Sequence, residues 1–237
     1  MSKALRIGVF AYNFPHQKTQ EGLLGLFVNG ISMECILAQD WRALKVRRSA
    51  KRIAPRGLKF SEPRLVAESL GIPFHVVDHD GAACVDLIGE YNLDLGVVLG
   101  ARILPKTVID AFSIGILNIH PGSLPENRGL DAIKWAVIKG EPQVVTAHLI
   151  DESIDRGRLV LAEEVEVYTD DSLLDLHVRV MNRQFVVMER AIRRLQDDRV
   201  DLHSIGTGEY RGPVPPDLEI SLDKTFLEYR ARIGIST

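Results

Sequence analysis

The sequence predicts an α/β fold in which helices flank a mostly parallel, twisted sheet. Along the first half of the chain, short apolar segments rich in β-forming residues alternate with longer segments of helical spacing. One of the short segments, 94–99, is apolar almost throughout, as expected for a strand that is covered on both faces. Polar loops containing Gly or Pro separate the segments. This repeated strand–helix order is typical of a parallel sheet.

Each element follows from its local pattern. Ser61 is the expected N-cap of a second helix, and Gly71 stands where that helix should end. The second half of the chain adds a helix, two extended runs and a long helix capped by Ser172. Strands are predicted at 5–12, 33–38, 72–77, 94–99, 114–120, 144–150 and 158–167, and helices within 21–31, 61–70, 80–91, 106–112, 130–139 and 173–195.

Two regions of different character are expected. Residues 1–201 form the predicted main domain, while 202–237 are interrupted by Gly and Pro and are interpreted as an appendage packed on that domain or on a partner subunit. Apolar residues in this appendage make a homodimer plausible. The single boundary therefore lies just after the long helix.

Composition excludes several classes of protein. The net charge of −3 gives no global basic field for nucleic acid, and no apolar run has the roughly 18 residues of a membrane span. The first strand begins at about residue 5 without the apolar core of a signal peptide. Cys35 and Cys84 are expected to be buried, reduced thiols. We therefore expect a cytoplasmic protein with no nucleic-acid or membrane partner.

Two polar side chains mark the end of the fifth strand. Asn118 and His120 share one face because side chains alternate along a strand, and Pro121 then ends the strand. Open α/β sheets place their ligands at the carboxyl ends of strands. A second polar cluster at 151–157 contains Asp155. We predict that Asn118, His120 and Asp155 meet in space.

These three residue types suit acyl or one-carbon transfer to an amine. An amide N–H stabilises an oxyanion, an imidazole takes and gives a proton, and a carboxylate sets the charge state of the imidazole. No Gly-x-Ser-x-Gly elbow indicates a covalent nucleophile. A metal site of His120, His148 and Asp155 is conceivable, but no ligand spacing supports it. A binding module or inactive regulator with the same trio is a further alternative.

At these residues the sequence resembles the folate-dependent formyltransferases. This family includes glycinamide ribonucleotide formyltransferase, methionyl-tRNA formyltransferase and the sugar-nucleotide N-formyltransferases. The resemblance is specific over about 90–195 and is limited to the strand pattern before residue 90. It is carried by Asn118-Ile119-His120-Pro121, Ser123-Leu124-Pro125, Arg128-Gly129, Val145-Thr146-Ala147-His148 and Asp151-Glu152-Ser153-Ile154-Asp155-Arg156-Gly157.

The resemblance implies a Rossmann-like formyltransferase domain, a donor and a set of roles. Asn118, His120 and Asp155 match the family's catalytic trio, and the donor would be 10-formyltetrahydrofolate. Since no ligand spacing supports a metal, we expect none. One departure is Gly122, where the family usually has Ser. The pterin pocket is expected at Leu99, Gly100, Arg102, Leu104, Ile150, Asp151 and Glu152.

The acceptor is predicted by exclusion. Residues 11–19 do not match the Gly-Ser-Asn phosphate loop of the purine enzyme, and the segment after the long helix is too short for the β-barrel of the tRNA enzyme. A nucleotide-linked amino sugar remains, with the basic stretch 42–59 available for its diphosphate. Alternatives are another acceptor (glycinamide ribonucleotide or methionyl-tRNA-like), hydrolysis of the donor, or an inactive folate-binding regulator. Candidate acceptor-binding residues are Tyr12, His16, Lys18, Arg47 and Arg48.

Overall fold

A computed structural model describes residues 4–43, 46–47, 49–197 and 200–236. Within these ranges, seven strands form one sheet, and two further strands of two residues each form a separate ladder. Sheet strands are β1 (Ile7–Tyr12), β2 (Cys35–Gln39), β3 (Phe74–Val76), β4 (Leu95–Val98), β5 (Gly115–His120), β7 (Val144–Leu149) and β8 (Arg158–Glu164), and the ladder is β6 (Arg128–Gly129) with β9 (Tyr210–Arg211).

Helices connect these strands and pack on both faces of the sheet. The longest has 23 residues, and its Ser172 and Asp175 form a reciprocal capping box. No helix among the described residues combines the length and apolarity needed to cross a membrane. The helices are α1 (Gln17–Val28), α2 (Pro63–Leu70), α3 (Ala82–Glu90), α4 (Lys106–Ile109), α5 (Ala132–Lys139), α6 (Leu173–Leu195), α7 (Pro216–Ile220) and α8 (Leu222–Ile233).

The sheet order is β3-β2-β1-β4-β5-β7-β8. The first five of these strands are parallel, whereas β7 and β8 pair antiparallel with their neighbours. The predicted mostly parallel sheet is therefore confirmed. The chain moves outward from β1 to β3 and returns to β4 on the other side of β1. This reversal opens a crevice beyond the carboxyl ends of β1 and β4, where ligands of such sheets bind.

Alternating side chains of the central strands supply two cores. Val9 lies in the core beneath α1 and α6, and its neighbour Phe10 lies in the core beneath α3 and α4. Both residues have no exposed surface. Because a strand covered on both faces must be apolar on both, the near-continuous apolar runs noted in the sequence are explained by this arrangement.

Several local features differ from the sequence predictions. The C-terminal helices α7 and α8 were not predicted, and α1 begins at Gln17 rather than near residue 21. The N-cap of α2 is Glu62 rather than Ser61, whose backbone N–H instead donates to Gln20 Oε1 at 2.7 Å. The β6–β9 ladder was not predicted, because two-residue strands carry no periodic pattern. Gly71 does end α2, in a left-handed conformation (φ 69°). The domain boundary after residue 201 stays a prediction.

Candidate active site

The antiparallel pairing of β5 with β7 assembles the centre of the site. Asn118 lies opposite His148, and His120 lies opposite Thr146. The Asn118 Nδ2 atom is 3.2 Å from His148 Nε2. The structure therefore brings Asn118 and His120 to the carboxyl end of β5 as predicted, and it adds a histidine from the neighbouring strand.

His120 is buried, and neighbours contact both of its ring nitrogens. Nε2 lies 2.8 Å from the Asn127 carbonyl oxygen, which only accepts, so Nε2 carries the proton of the neutral ring. Nδ1 then presents a lone pair, 3.5 Å from Asp155 Oδ1. Burial lowers the pKa of His120, and the Asp155 carboxylate opposes that shift. The ring is thus a neutral base next to a carboxylate that stabilises its protonated form.

Asp155 is fixed by its backbone as well as by its side chain. Its φ of 49° is left-handed, a region that Asp tolerates better than most residues. The Oδ2 atom accepts a hydrogen bond from the Gly129 amide at 2.8 Å, which leaves Oδ1 facing His120. The predicted meeting of Asp155 with His120 is therefore present in the geometry.

His148 orients the amide of Asn118. Its Nδ1 is 2.8 Å from the Arg156 carbonyl oxygen, so Nδ1 donates and Nε2 accepts from Asn118. Burial lowers the pKa of His148 to about 4, which keeps the ring neutral. One N–H of the Asn118 amide is therefore engaged and the other can donate to an oxyanion. The sequence suggests His148 as a metal ligand and includes it in the family motif, but it does not indicate this orienting role. The usable signal is its alternation with Thr146 on a strand after the site.

The N-terminal turn of α1 places a cation against the same strand. Lys18 Nζ donates to the Ile119 carbonyl at 3.2 Å, and burial lowers its pKa to about 8. Among the described residues no carboxylate lies within ion-pair distance of this amine. His16 caps α1 by accepting from the Thr19 amide at 3.3 Å, and burial together with Lys18 lowers the His16 pKa to about 4.

Aromatic rings extend the first loop toward the surface. Tyr12 stacks on Phe14 with ring centroids 4.8 Å apart, and its hydroxyl donates to the Ala101 carbonyl at 2.8 Å. The guanidinium of Arg102 lies 5.8 Å from the Tyr12 ring centre. The indole of Trp41, after β2, is 66% exposed. Tyr12, Phe14 and Arg102 therefore form one cluster at the crevice.

The predicted donor pocket is divided between core and surface. Leu99 and Leu104 are buried in the two cores, so only their backbone is available to a ligand. Ile150 donates its amide to the Ile116 carbonyl at 2.9 Å. Two exposed apolar side chains on the pocket loops, Ile103 and Ile154, suit a flat ring. Asp151 and Glu152 are exposed near Ile154, and Gly100 lies against the Tyr12 ring.

Part of the described basic stretch contacts the C-terminal segment, whereas Arg42 forms ion pairs with Asp78 and Asp80. Arg47 donates to the carbonyls of Pro213 and Val214, and Lys51 forms an ion pair with Asp223 at 2.5 Å. Arg48 lies outside the described residues. The structure therefore gathers Tyr12, His16 and Lys18 near the catalytic trio but directs the Arg47 side chain elsewhere. Within the described ranges, no three His, Cys, Asp or Glu side chains cluster as metal ligands.

Gly122 allows the contact between His120 and Asn127. A Cβ at this position would lie 2.9 Å from both His120 Nε2 and the Asn127 oxygen. A side chain would therefore separate the ring from the carbonyl that fixes its tautomer. Gly122 therefore leaves room for the Asn127 carbonyl beside the imidazole.

Comparison with known proteins places the chain among formyl transferases. The family model described as "Formyl transferase" matches residues 42–192. A methionyl-tRNA formyltransferase of Syntrophus aciditrophicus is 32% identical over 172 residues, which are 70% of this chain and 54% of that protein. The chain thus spans about half the length of this curated relative.

Solved structures share the fold. Phosphoribosylglycinamide formyltransferase from Anaplasma phagocytophilum superposes with a TM-score of 0.64 at 22% identity, covering 88% of this chain and all of that one. A sugar N-formyltransferase from Shewanella sp FDAARGOS_354 superposes with a TM-score of 0.59 at 20% identity, covering 89% and 77%.

Proposed function

Because the chain belongs to the formyl transferase family, we propose that it transfers a formyl group from 10-formyltetrahydrofolate to the primary amine of a nucleotide-linked amino sugar. The observation that carries this proposal is the pairing of His120 with Asp155, 3.5 Å apart, beside the Asn118 amide. A base, a carboxylate and an oxyanion donor at one strand end are what acyl transfer to an amine requires.

Each group has one role in the proposed reaction. The acceptor nitrogen bonds to the formyl carbon, whose carbonyl electrons move to oxygen, and the free N–H of Asn118 donates to that oxyanion. His120 Nδ1 takes the proton released by the acceptor nitrogen, and Asp155 stabilises the imidazolium. The bond between the formyl carbon and the donor nitrogen then breaks, and the same proton passes to the departing nitrogen. The products are a formamide and tetrahydrofolate.

Charge and aromatic surface support an anionic, nucleotide-linked acceptor. Lys18 presents a cation at the site with no carboxylate partner among the described residues, so a phosphate of the acceptor suits it. The Tyr12–Phe14 stack offers a face to a nucleobase. The net charge of −3 does not favour transfer RNA.

A panel of acceptors tests this assignment. Purified protein with 10-formyltetrahydrofolate is incubated with dTDP-, UDP- and GDP-linked amino sugars, with glycinamide ribonucleotide and with methionyl-tRNA. Mass spectrometry of each acceptor should show one added formyl group on an amino sugar only. Formylation confined to either of the other two acceptors would refute the sugar assignment, and release of formate without any acceptor would favour hydrolysis.

We also propose a cytoplasmic location and a homodimer. Both cysteines are buried and unpaired, and burial raises the pKa of Cys35 to about 12, as suits reduced thiols. Fractionation of cells that produce the protein tests the location. Size-exclusion chromatography with light scattering tests the dimer, and a monomer at all concentrations would contradict it.

A further inference from the structure

Residues 203–214, called the strap below, lie across both loops that carry the site. On one side, the His203 carbonyl accepts from the Leu159 amide and the Ile205 amide donates to the Gly157 carbonyl, each at 2.9 Å. On the other side, the Leu130 amide donates to the Arg211 carbonyl at 2.9 Å. The strap therefore joins the loop of Asp155 to the loop that follows His120.

The strap lies flush against the second loop. A Cβ on Gly208 would stand 1.8 Å from the Pro125 carbonyl oxygen. A Cβ on Gly129 would stand 2.1 Å from the Arg211 carbonyl oxygen, and the φ of Gly129 is +104°. Only glycine permits so close an approach with that backbone conformation. The contact between strap and loop is thus specified by these two residues.

Arg128 is the side chain that connects strap, loop and catalytic turn. It is only 6% exposed. One guanidinium nitrogen donates to the Gly208 carbonyl of the strap at 2.6 Å, and the other donates to the Ile154 carbonyl. Among the described residues no carboxylate lies within ion-pair distance of it. A buried cation that binds two backbone carbonyls in this way fixes their relative position, because the guanidinium is a planar, rigid fork.

These contacts act directly on Asp155. Ile154 immediately precedes Asp155, and Gly129, which immediately follows Arg128, donates its amide to Asp155 Oδ2. We infer that Arg128, held by the strap, is a positioning residue that places the Asp155 carboxylate against His120. The inference rests on the proposed role of Asp155 in formyl transfer. It also makes the strap, which lies beyond the predicted main domain, part of the active-site framework.

Two variants separate position from charge. Arg128→Lys keeps the positive charge but cannot span both carbonyls, and Arg128→Ala leaves a space that free guanidinium fits. Each should lower kcat by about 100-fold, the effect of misplacing a catalytic group by about 1 Å. Millimolar guanidinium should restore much of the activity of Arg128→Ala and none of the activity of Asp155→Asn. Urea at the same concentration controls for a solvent effect.

A matched control lies outside the strap. Arg232 on α8 also donates to a backbone carbonyl, that of Gly140 at 2.7 Å, and this carbonyl belongs to neither loop that carries the site. Arg232→Ala should therefore change kcat less than 3-fold. Circular dichroism and thermal unfolding of every variant identify those that are folded.

An NMR measurement decides the inference without any acceptor. The Gly129 amide donates to the Asp155 carboxylate in the wild-type protein, so its proton resonance should lie downfield of a glycine amide without such a bond. In Arg128→Lys the resonance should move upfield. A folded Arg128→Lys protein with wild-type kcat and a wild-type Gly129 resonance would overturn the inference, as would an Arg128→Ala protein that guanidinium does not restore. If Arg128→Ala fails to fold, the Arg128→Lys results decide. If the wild-type protein formylates no acceptor, the proposed function fails while the Gly129 result still stands.

Discussion

The two nitrogens of the His120 ring have different partners, and this asymmetry defines the proposed chemistry. The Asn127 carbonyl holds a proton on Nε2, which leaves Nδ1 to accept a proton beside Asp155. Burial lowers the pKa of His120, and Asp155 is the carboxylate that raises it again. Asp155→Asn removes that compensation, so we expect kcat to fall by about 100-fold or more, the range of general acid–base catalysis.

The measurement is steady-state kcat with saturating donor and acceptor, together with donor binding by calorimetry. Donor binding should persist, because the replacement is nearly isosteric. Asp110→Asn is the matched control, since Asp110 is an exposed carboxylate that pairs with Lys106 at 2.7 Å on α4. Unchanged kcat in Asp155→Asn would remove Asp155 from the mechanism.

Gly122 provides a second test at the scale of one residue. In Gly122→Ala the new methyl group meets His120 Nε2 and the Asn127 oxygen at 2.9 Å. We expect lower kcat and a loss of about 1–3 kcal/mol in the free energy of unfolding, the usual penalty of overpacking. Gly25→Ala is the control: a Cβ there has open space within α1, so stability should rise by about 0.5–1 kcal/mol. Equal effects of the two substitutions would contradict this account.

At the scale of elements, the N-terminal turn of α1 holds a cation that forms no ion pair with any carboxylate of the described residues. Lys18 has a folded-state pKa of about 8, below that of the exposed side chain. The folded state therefore releases its proton first, so this residue should make stability rise as pH increases from about 8 to about 10.4. Below pH 8 the penalty for burying the ammonium is fully present.

The direction of this pH dependence predicts the effect of Lys18→Met on stability. At pH 7 the variant should unfold at a higher temperature than the wild-type protein, while its KM for a phosphorylated acceptor should rise more than its KM for the donor. The stability difference should shrink as pH increases above 8. Thermal unfolding across pH and the two KM values measure these effects, with Lys224→Met on α8 as the exposed control. A variant less stable at pH 7 would show that Lys18 is paired in solution.

Elements with a strong periodic pattern of apolar residues were predictable from the sequence, and elements defined by backbone contacts were not. The run 173–195 became α6 with the predicted bounds, because its apolar spacing and capping residues agree. In contrast, β6 and β9 consist of two residues each and exist because Gly129 meets the Arg211 backbone. Asn127 contributes to the site through its carbonyl, which no side-chain pattern reports. His148 required the register of β5 with β7.

For the whole molecule, one buried cluster connects three distant parts of the chain. Lys134 on α5 and Glu219 on α7 form an ion pair at 2.6 Å, with their side chains 3% and 2% exposed. The same carboxylate accepts from Ser49 and from the Ala50 amide within the basic stretch. The C-terminal segment thereby holds the basic stretch against α5. This contact explains why Ser49 and Ala50 of that stretch face the C-terminal segment rather than the crevice.

The cluster predicts how stability depends on pH. Burial alone would raise the pKa of Glu219, but its hydrogen bonds from Lys134, Ser49 and Ala50 lower it to about 2. A carboxyl group whose folded pKa lies below its unfolded value of about 4.3 stabilises the fold above that value. Its contribution should therefore be lost as pH falls from about 4.3 through about 2. Urea unfolding across this range should show the loss in the wild-type protein and not in a protein without the pair.

A double-mutant cycle tests the same pair. Lys134→Met alone leaves a buried carboxylate without its cation and should lower the free energy of unfolding by about 3–5 kcal/mol, whereas the double variant Lys134→Met/Glu219→Met should lose less. The physical reason is that the single change leaves an uncompensated charge, and the double change leaves an apolar contact. Lys106→Met, which breaks the exposed pair with Asp110, should leave the unfolding midpoint unchanged. A double variant as unstable as Lys134→Met would mean that the carboxylate stabilises the C-terminal segment without its cation, through Ser49 and Ala50 alone.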